Sequence, residues 1–180
     1  MTTTQAKSIR RWNDCGKMAS GARRKSTKSS TNTSAPPMNA KTHKVVLDTN
    51  CLIASLSLHS EFYPVWKGLQ IGKYTLCVSN EILNEYQEII ERKTSAAVAR
   101  NVIAMLLKSR FVEMIDPFYR LNLIQTDHDD NKFVDCAFAA NASFIVSDDK
   151  HFDVLSSIEF PRIMVMKLTN FLKLLLDPDE

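Results

Sequence analysis

The stretch VVLDTNCLI, residues 45–53, gives the strongest indication of the fold. Its aliphatic run is typical of a strand buried on both faces, and the acid Asp48 ends that run. The residues from Cys51 to Leu58 then predict a helix. A buried strand that leads through a carboxylate into a helix favours an α/β fold with a polar site at the end of the strand.

The rest of the chain repeats this alternation. Further strands are predicted at 74–78, 111–115, 143–147 and 162–166. Helices are predicted at 63–71, from a cap at Ser79 to about Glu91, from a cap at Thr94, from the acidic loop 127–131 through Ala142, and from about Thr169. Strands that alternate with helices indicate a parallel sheet covered on both faces. We therefore expect a three-layer α/β/α domain with a central, mostly parallel sheet of about five strands.

Residues 1–43 differ in composition from the remainder. They are rich in Ser, Thr, Lys and Arg, contain a Pro36-Pro37 break, and cannot bury enough surface to offset their ordering entropy. The net charge of +3 hides this asymmetry, because the chain from Val45 onward is acidic. We expect a disordered basic tail at 1–43 and the folded domain at 44–175. The tail has three open interpretations: an RNA-binding arm, a targeting peptide, or a passive segment that includes an over-long start.

Cysteine usage and hydropathy both suit a cytoplasmic protein. The four cysteines are widely spaced and form no CxxC pair, which argues against a zinc knuckle or a disulfide framework. No apolar run approaches the roughly 20 residues of a membrane span.

The acids collect at one predicted edge of the sheet. Asp48 ends the first strand, Asp148 and Asp149 end the fourth, Glu85 lies about two turns into a helix, and an acidic run at 127–135 precedes the fourth strand. Two carboxylates about 4 Å apart repel by about 4 kcal/mol at an effective dielectric of 20. Such a cluster must take up protons or bind cations. Oxygen ligands point to Mg²⁺ or Mn²⁺, ions that in pairs support phosphodiester cleavage.

Most of these residues also have a purely structural explanation. Glu85 fits an exposed helix acid, and Asp129 or Asp130 fits a helix cap. His128 and His151 are better explained as surface residues than as ligands. Asp135 differs, because it stands among apolar residues where an unpaired charge would be costly.

In order along the chain, these segments resemble the PIN domain, in particular the VapC-like toxin components of toxin–antitoxin systems. The resemblance covers about residues 44–170. It rests on VVLDTNCLI (45–53), VSNEILNEYQEII (78–90), DHDDNKFVDCAFAANASFIVSDDKHF (127–152) and, after the last strand, LTNFL (168–172). The ordered set with its strand and helix context carries the resemblance; the first motif alone does not.

The resemblance implies roles for single residues. Asp48 would be the first metal ligand, steadied by Thr49 or Asn50. Glu85 would match the family's helix glutamate, and Asp149 would match the acid after the fourth strand.

One position departs from the family pattern, because the third family acid falls on the amide Asn131. Its role would pass to Asp130 or Asp135, with Asp135 slightly preferred, and Asn131 would be a weak neutral ligand or an outer donor. The predicted catalytic and metal-binding residues are therefore Asp48, Glu85, Asp130, Asp135 and Asp149.

The resemblance implies a metal-dependent endoribonuclease with an RNA substrate, an antitoxin partner and a homodimeric state. The alternative is a catalytically silent PIN-like module that binds RNA or a partner protein, because the acidic body is not obviously suited to phosphates. A receiver domain would need paired acids near the first strand, and a haloacid-dehalogenase phosphatase would need Asp-x-Asp at 48–50, so both fit less well. The segment 94–109 is expected to serve a dimer interface or a substrate groove, with core packing as the simpler explanation.

Overall fold

The structure is a computed structural model, and it describes residues 43–177. Five strands form one sheet: β1 (Lys44–Leu47), β2 (Thr75–Val78), β3 (Val112–Met114), β4 (Phe144–Val146) and β5 (Val165–Met166). Six α-helices accompany it: α1 (Thr49–Leu56), α2 (Tyr63–Ile71), α3 (Asn80–Lys93), α4 (Ala96–Lys108), α5 (Asn131–Ala139) and α6 (Leu168–Leu176). Two 3₁₀ segments, His128–Asp130 and Lys150–Ser157, flank α5 and β4.

The sheet is parallel throughout and has the order β3-β2-β1-β4-β5. Val45, Val46 and Leu47 are completely buried, so helices cover both faces of the central strand. The predicted α/β class and the mostly parallel sheet of about five strands are confirmed. Successive strands build outward from β1 on one side and then return to its other side at β4. The gap between the carboxyl ends of β1 and β4 is thus the topological switch point, where open α/β sheets place ligands.

Local capping explains several element boundaries. Ser79 begins α3 by accepting from the backbone N–H of Ile82 at 3.3 Å, as predicted. The predicted cap of the next helix at Thr94 is wrong, because Ser95 accepts from Val98 N at 3.3 Å. Thr94 instead donates back to the Ile90 carbonyl at 2.7 Å and closes the preceding helix.

Three further predictions needed correction. The first helix begins at Thr49 and not at Cys51, because Asp48 caps it. The fifth strand is shorter than 162–166. The helical stretch before β4 ends at Ala139 and not at Ala142. The predicted disordered tail lies outside the described residues except for His43, and the domain limits of 44–175 remain a prediction.

No helix within residues 43–177 is both long enough and apolar enough to cross a membrane.

A buried tyrosine fastens α3 to the central strand. Tyr86 is completely buried, and its hydroxyl donates to the carbonyl oxygen of Leu47, one residue before Asp48. This bond fixes the helix that carries Glu85 against the end of β1.

We expect Tyr86→Phe to lower the free energy of unfolding by about 1–2 kcal/mol, because it leaves a buried carbonyl without this donor. Urea denaturation measures the effect. Tyr119→Phe is the matched control, since Tyr119 is largely exposed. Equal stability of the two variants would contradict the prediction.

Candidate functional site

Asp48 occupies the switch point of the sheet. Its backbone N–H donates to Val146 O of β4 at 2.9 Å, which joins the ends of the two strands. Its carboxylate accepts from the Ser147 hydroxyl at 3.0 Å and from the Asn50 backbone N–H at 3.4 Å. Asp48 is only 6% exposed. A carboxylate is therefore held in a buried position by neutral donors.

The electrostatics around Asp48 reveal its acidic neighbours. Burial raises the pKa of Asp48, and the hydrogen bonds from Ser147 and Asn50 oppose that rise. Glu85 and Asp149 raise this pKa further by charge repulsion. Three predicted site acids thus interact at one place.

The side chain of Ser147 links the end of β1 to the end of β4. Its hydroxyl donates to Asp48 Oδ2 and accepts from the backbone N–H of Asp149 at 3.0 Å. Asp149 Oδ1 in turn accepts from the backbone N–H of His151 at 3.0 Å and caps the 3₁₀ segment that follows. Ser147 was not predicted as a site residue, although its place before Asp148-Asp149 could have suggested it.

Glu85 reaches the site from α3. Its Oε1 accepts from the Thr49 hydroxyl at 2.6 Å, and its Oε2 pairs with Lys132 Nζ at 2.6 Å. Its side chain is only 25% exposed. The purely structural explanation of Glu85 as an exposed helix acid is therefore wrong. Thr49 contacts Glu85, whereas Asn50 contacts Asp48 through its backbone.

Asp130 stands before α5 but does not cap it. Its side chain makes no capping bond, and the short 3₁₀ turn before the helix is capped by Asp127, which accepts from Asp129 N at 3.0 Å. The expectation that Asp129 or Asp130 serves as a cap is thus wrong. Asp130 Oδ2 instead lies 3.1 Å from His151 Nδ1.

Burial raises the pKa of Asp130 to about 6, although the hydrogen bond with His151 lowers it. Repulsion by Asp127, Asp149 and Asp48 adds to the rise. Asp130 therefore belongs to the same charge cluster as Asp48 and Asp149.

His151 is a surface residue, as the sequence predicts, with a side chain that is 42% exposed, and it lies beside Asp130, Asp149 and Asp127. One ligand atom each from Asp127, Asp130 and His151 lie within 4.8 Å of one another. The sequence hints at this proximity in the motif DDKH (residues 148–151), where the imidazole comes two residues after Asp149.

Asp135 and Asn131 engage the segment that joins β3 to α5. Asp135 Oδ1 accepts from Leu121 N at 2.9 Å, and its Oδ2 lies 3.5 Å from Arg120. The Asn131 amide accepts from Ile124 N at 3.0 Å and donates to Ile124 O at 2.8 Å. Both side chains are buried and hold this segment against α5.

The contacts therefore sort the five predicted residues. Asp48 interacts electrostatically with Glu85, Asp130 and Asp149 at the carboxyl edge of the sheet, and Asp130 interacts also with Asp149. Asp135 is turned to the joining segment. The remaining strand-end acid, Asp148, accepts from Leu168 N at 3.1 Å and fixes the start of α6.

The donor set suits a hard divalent cation. Charge repulsion links Asp48 to Glu85, Asp130 and Asp149, and burial makes ionisation of Asp48 and Asp130 costly. Asp48, Asp130 and Asp149 have neutral donors or one imidazole as partners and no lysine or arginine pair among the described contacts. These residues fit an ion of the Mg²⁺ or Mn²⁺ class.

Two solved structures resemble this fold. The first, titled as VapBC2 from Rickettsia felis bound to a DNA fragment from the promoter, shares 19% identity with a TM-score of 0.50, and the match covers 69% of this chain and 98% of that one. The second, titled as the PIN domain endonuclease Utp24, shares 16% identity with a TM-score of 0.44, covering 69% of this chain and 84% of that one. At 19% identity the first match bears on the fold alone, and nothing is inferred from the second.

A comparison with curated protein sequences gave no match. The family comparison is decisive: the model of the PIN domain matches residues 44–151, which is more than half of the chain. The match includes β1 with Asp48, α3 with Glu85 and the cluster from Asp127 to His151. The chain belongs to the PIN-domain family.

Proposed function

We propose that this protein is a metal-dependent endoribonuclease that hydrolyses RNA phosphodiester bonds and acts as the toxin of a toxin–antitoxin pair. The observation that carries the proposal is the convergence of Asp48, Glu85, Asp130 and Asp149 at the switch point of the sheet. A phosphodiester suits such a site because two carboxylate-held cations can bind both the attacking and the leaving oxygen.

We assign Asp48, Asp130 and Asp149 as the ligands of Mg²⁺ or Mn²⁺. Glu85 stands at the rim, where Lys132 neutralises part of its charge and Thr49 fixes its direction. The third acid of the family pattern is assigned to Asp130 over Asp135, because both oxygens of Asp135 contact the joining segment. The bound cation would activate a water and stabilise the leaving oxygen.

The substrate side of the site needs positive charge. Lys132 lies beside Glu85, and Lys93 donates to Asn50 Oδ1 at 3.0 Å, two residues from Asp48. Lys132 next to Glu85 and Lys93 next to Asn50 offer phosphate contacts at the rim. We infer that they hold the RNA backbone while the cations act on one phosphodiester.

The toxin role, an antitoxin partner, a homodimeric state and a cytoplasmic location rest on the resemblance of the four sequence segments to VapC-like toxins. Like the RNA substrate, they are proposals.

The central test is cleavage of a long RNA by the purified protein with Mg²⁺ or Mn²⁺. Substituting a residue that only orients a metal ligand typically costs roughly 10–100-fold in activity. Because Asp48 is assigned as a ligand itself, Asp48→Asn should lower the cleavage rate by more than that. The chelator EDTA should abolish cleavage, and added Mn²⁺ should restore it.

Asp153→Asn is the matched control, because Asp153 is exposed in the 3₁₀ segment close to Asp149. It should cleave like the unmodified protein. Cleavage that survives both the chelator and Asp48→Asn would refute the metal-dependent nuclease. RNA binding without cleavage in any metal would favour the silent module instead.

The raised pKa of Asp130 predicts a pH-dependent gain in stability from metal. A carboxyl whose pKa lies near 6 is ionised at pH 7.5 and largely protonated at pH 5, and a cation must then displace the proton. We expect Mn²⁺ to raise the Tm at pH 7.5 and to do so progressively less as the pH falls below 6.

Differential scanning fluorimetry with and without Mn²⁺ across this pH range measures the effect. Asp130→Asn should reduce the gain at pH 7.5 and flatten its pH dependence. A gain in Tm that is the same at pH 5 and pH 7.5 would contradict the assignment of Asp130.

The phosphate contact of Lys93 can be tested by RNA affinity in the Asp48→Asn background, where cleavage does not interfere. Lys93→Ala should weaken binding of all RNA sequences alike and reduce the slope of log K against log salt by about 1. Lys108→Ala is the control, since Lys108 is exposed at the end of α4, next to the start of β3 and so at the opposite edge of the sheet. Equal effects of the two substitutions would contradict a local role.

A further inference from the structure

We propose that His151 is a direct ligand of the bound cation through Nδ1, that Asp127 completes the same ligand group, and that the imidazole makes the site select Mn²⁺ over Mg²⁺. This inference rests on the proposed function, because it specifies the ion that the nuclease site takes.

The geometry around one imidazole nitrogen carries the proposal. Nδ1 of His151 lies 3.1 Å from Asp130 Oδ2, 3.5 Å from Asp149 Oδ1 and 3.8 Å from Asp127 Oδ2. Three carboxylates from two separate places, the turn 127–130 and the end of β4, thus lie near the same nitrogen. One ligand atom each from Asp127, Asp130 and His151 lie within 4.8 Å of one another, close enough for a single cation to contact all three.

Backbone contacts hold these donors in place. Asp149 binds the His151 N–H and is itself tied to Ser147, which contacts Asp48. Asp127 binds the Asp129 N–H and begins the turn that presents Asp130. The imidazole is therefore positioned relative to Asp48 by the chain itself, and its side chain is 42% exposed, so an ion can reach it from solvent.

The chemistry of the donors decides between the two ions. Mg²⁺ is a hard ion that takes oxygen ligands in strict octahedral geometry and gains little from imidazole. Mn²⁺ also binds carboxylates, and as a transition metal it accepts an imidazole nitrogen as well. A nitrogen among three carboxylates therefore strengthens Mn²⁺ binding and leaves Mg²⁺ binding nearly unchanged.

A simpler role for His151 makes the opposite prediction. If protonated His151 served only as a cationic partner of the acids, its removal would increase the negative charge of the site. Both ions would then bind more tightly without it. A ligand role and a charge-pairing role thus differ in the sign of the effect on Mn²⁺.

The test combines calorimetry with pulsed electron paramagnetic resonance of the Mn²⁺-loaded full chain. In the unmodified protein we expect modulation of the Mn²⁺ echo by a directly bound ¹⁴N nucleus. His151→Asn should remove this modulation and lower Mn²⁺ affinity by at least about tenfold. Mg²⁺ affinity should change far less, so the ratio of the two affinities falls.

His128→Asn is the matched control, because His128 is an exposed imidazole in the neighbouring turn. It should retain both the ¹⁴N modulation and the Mn²⁺ affinity. The spectrum of the unmodified protein also tests the proposal without any variant, in case His151→Asn fails to fold.

Several results overturn the inference. Mn²⁺ that binds without nitrogen modulation, modulation lost in His128→Asn and kept in His151→Asn, or a parallel rise of both affinities in His151→Asn would each do so and leave the proposed nuclease standing. Failure of the unmodified protein to bind either ion would overturn the proposed function and this inference together.

Discussion

Asp48 lies between the ends of two buried parallel strands, where the bond from its backbone N–H to Val146 fixes its main chain and leaves the residue only 6% exposed. Its oxygens accept from a hydroxyl and a backbone N–H, neither of which carries a full charge. An ionised carboxylate in such a place is unfavourable unless a positive charge binds beside it. Because the hydrophobic run of β1 fixes the strand, the position of this charge follows from the packing of the core.

The acids around this point fall into two groups according to their partners. Glu85 is paired with Lys132, and Asp135 lies close to Arg120 and binds the backbone of Leu121. Their charge is balanced within the chain, which suits a structural or rim position. Asp48, Asp130 and Asp149 are held by hydroxyl, backbone and imidazole groups instead. Carboxylates therefore serve both to fasten loops and to form the candidate cation site, and their partners distinguish the two roles.

Sequence reasoning recovers the features that depend on local pattern. The aliphatic run before Asp48, the alternation of strands and helices and the Ser79 cap all lie within a few residues, and each is found in the structure. Whether Asp130 or Asp135 replaces the acid missing at Asn131 depends on Arg120 and Leu121, which belong to a segment without periodicity. The place of His151 depends on a 3₁₀ segment that brings it back toward Asp130 and Asp127. Such long-range pairings leave no trace in the spacing of residues. Even a local feature can be misplaced by one residue, since the helix cap predicted at Thr94 is found at Ser95.

The acidic character of the folded part bears directly on how RNA could be bound. Phosphates are repelled by a carboxylate cluster, so an empty site would oppose its own substrate, whereas bound cations would reverse the local charge and bridge the acids to the backbone of the RNA. In the proposed nuclease, binding and chemistry then depend on the same ions, with Lys93 and Lys132 extending the positive charge at the rim. RNA would therefore bind the metal-loaded protein in preference to the metal-free protein before any bond is cut, because the cluster attracts phosphates only when the cations are in place.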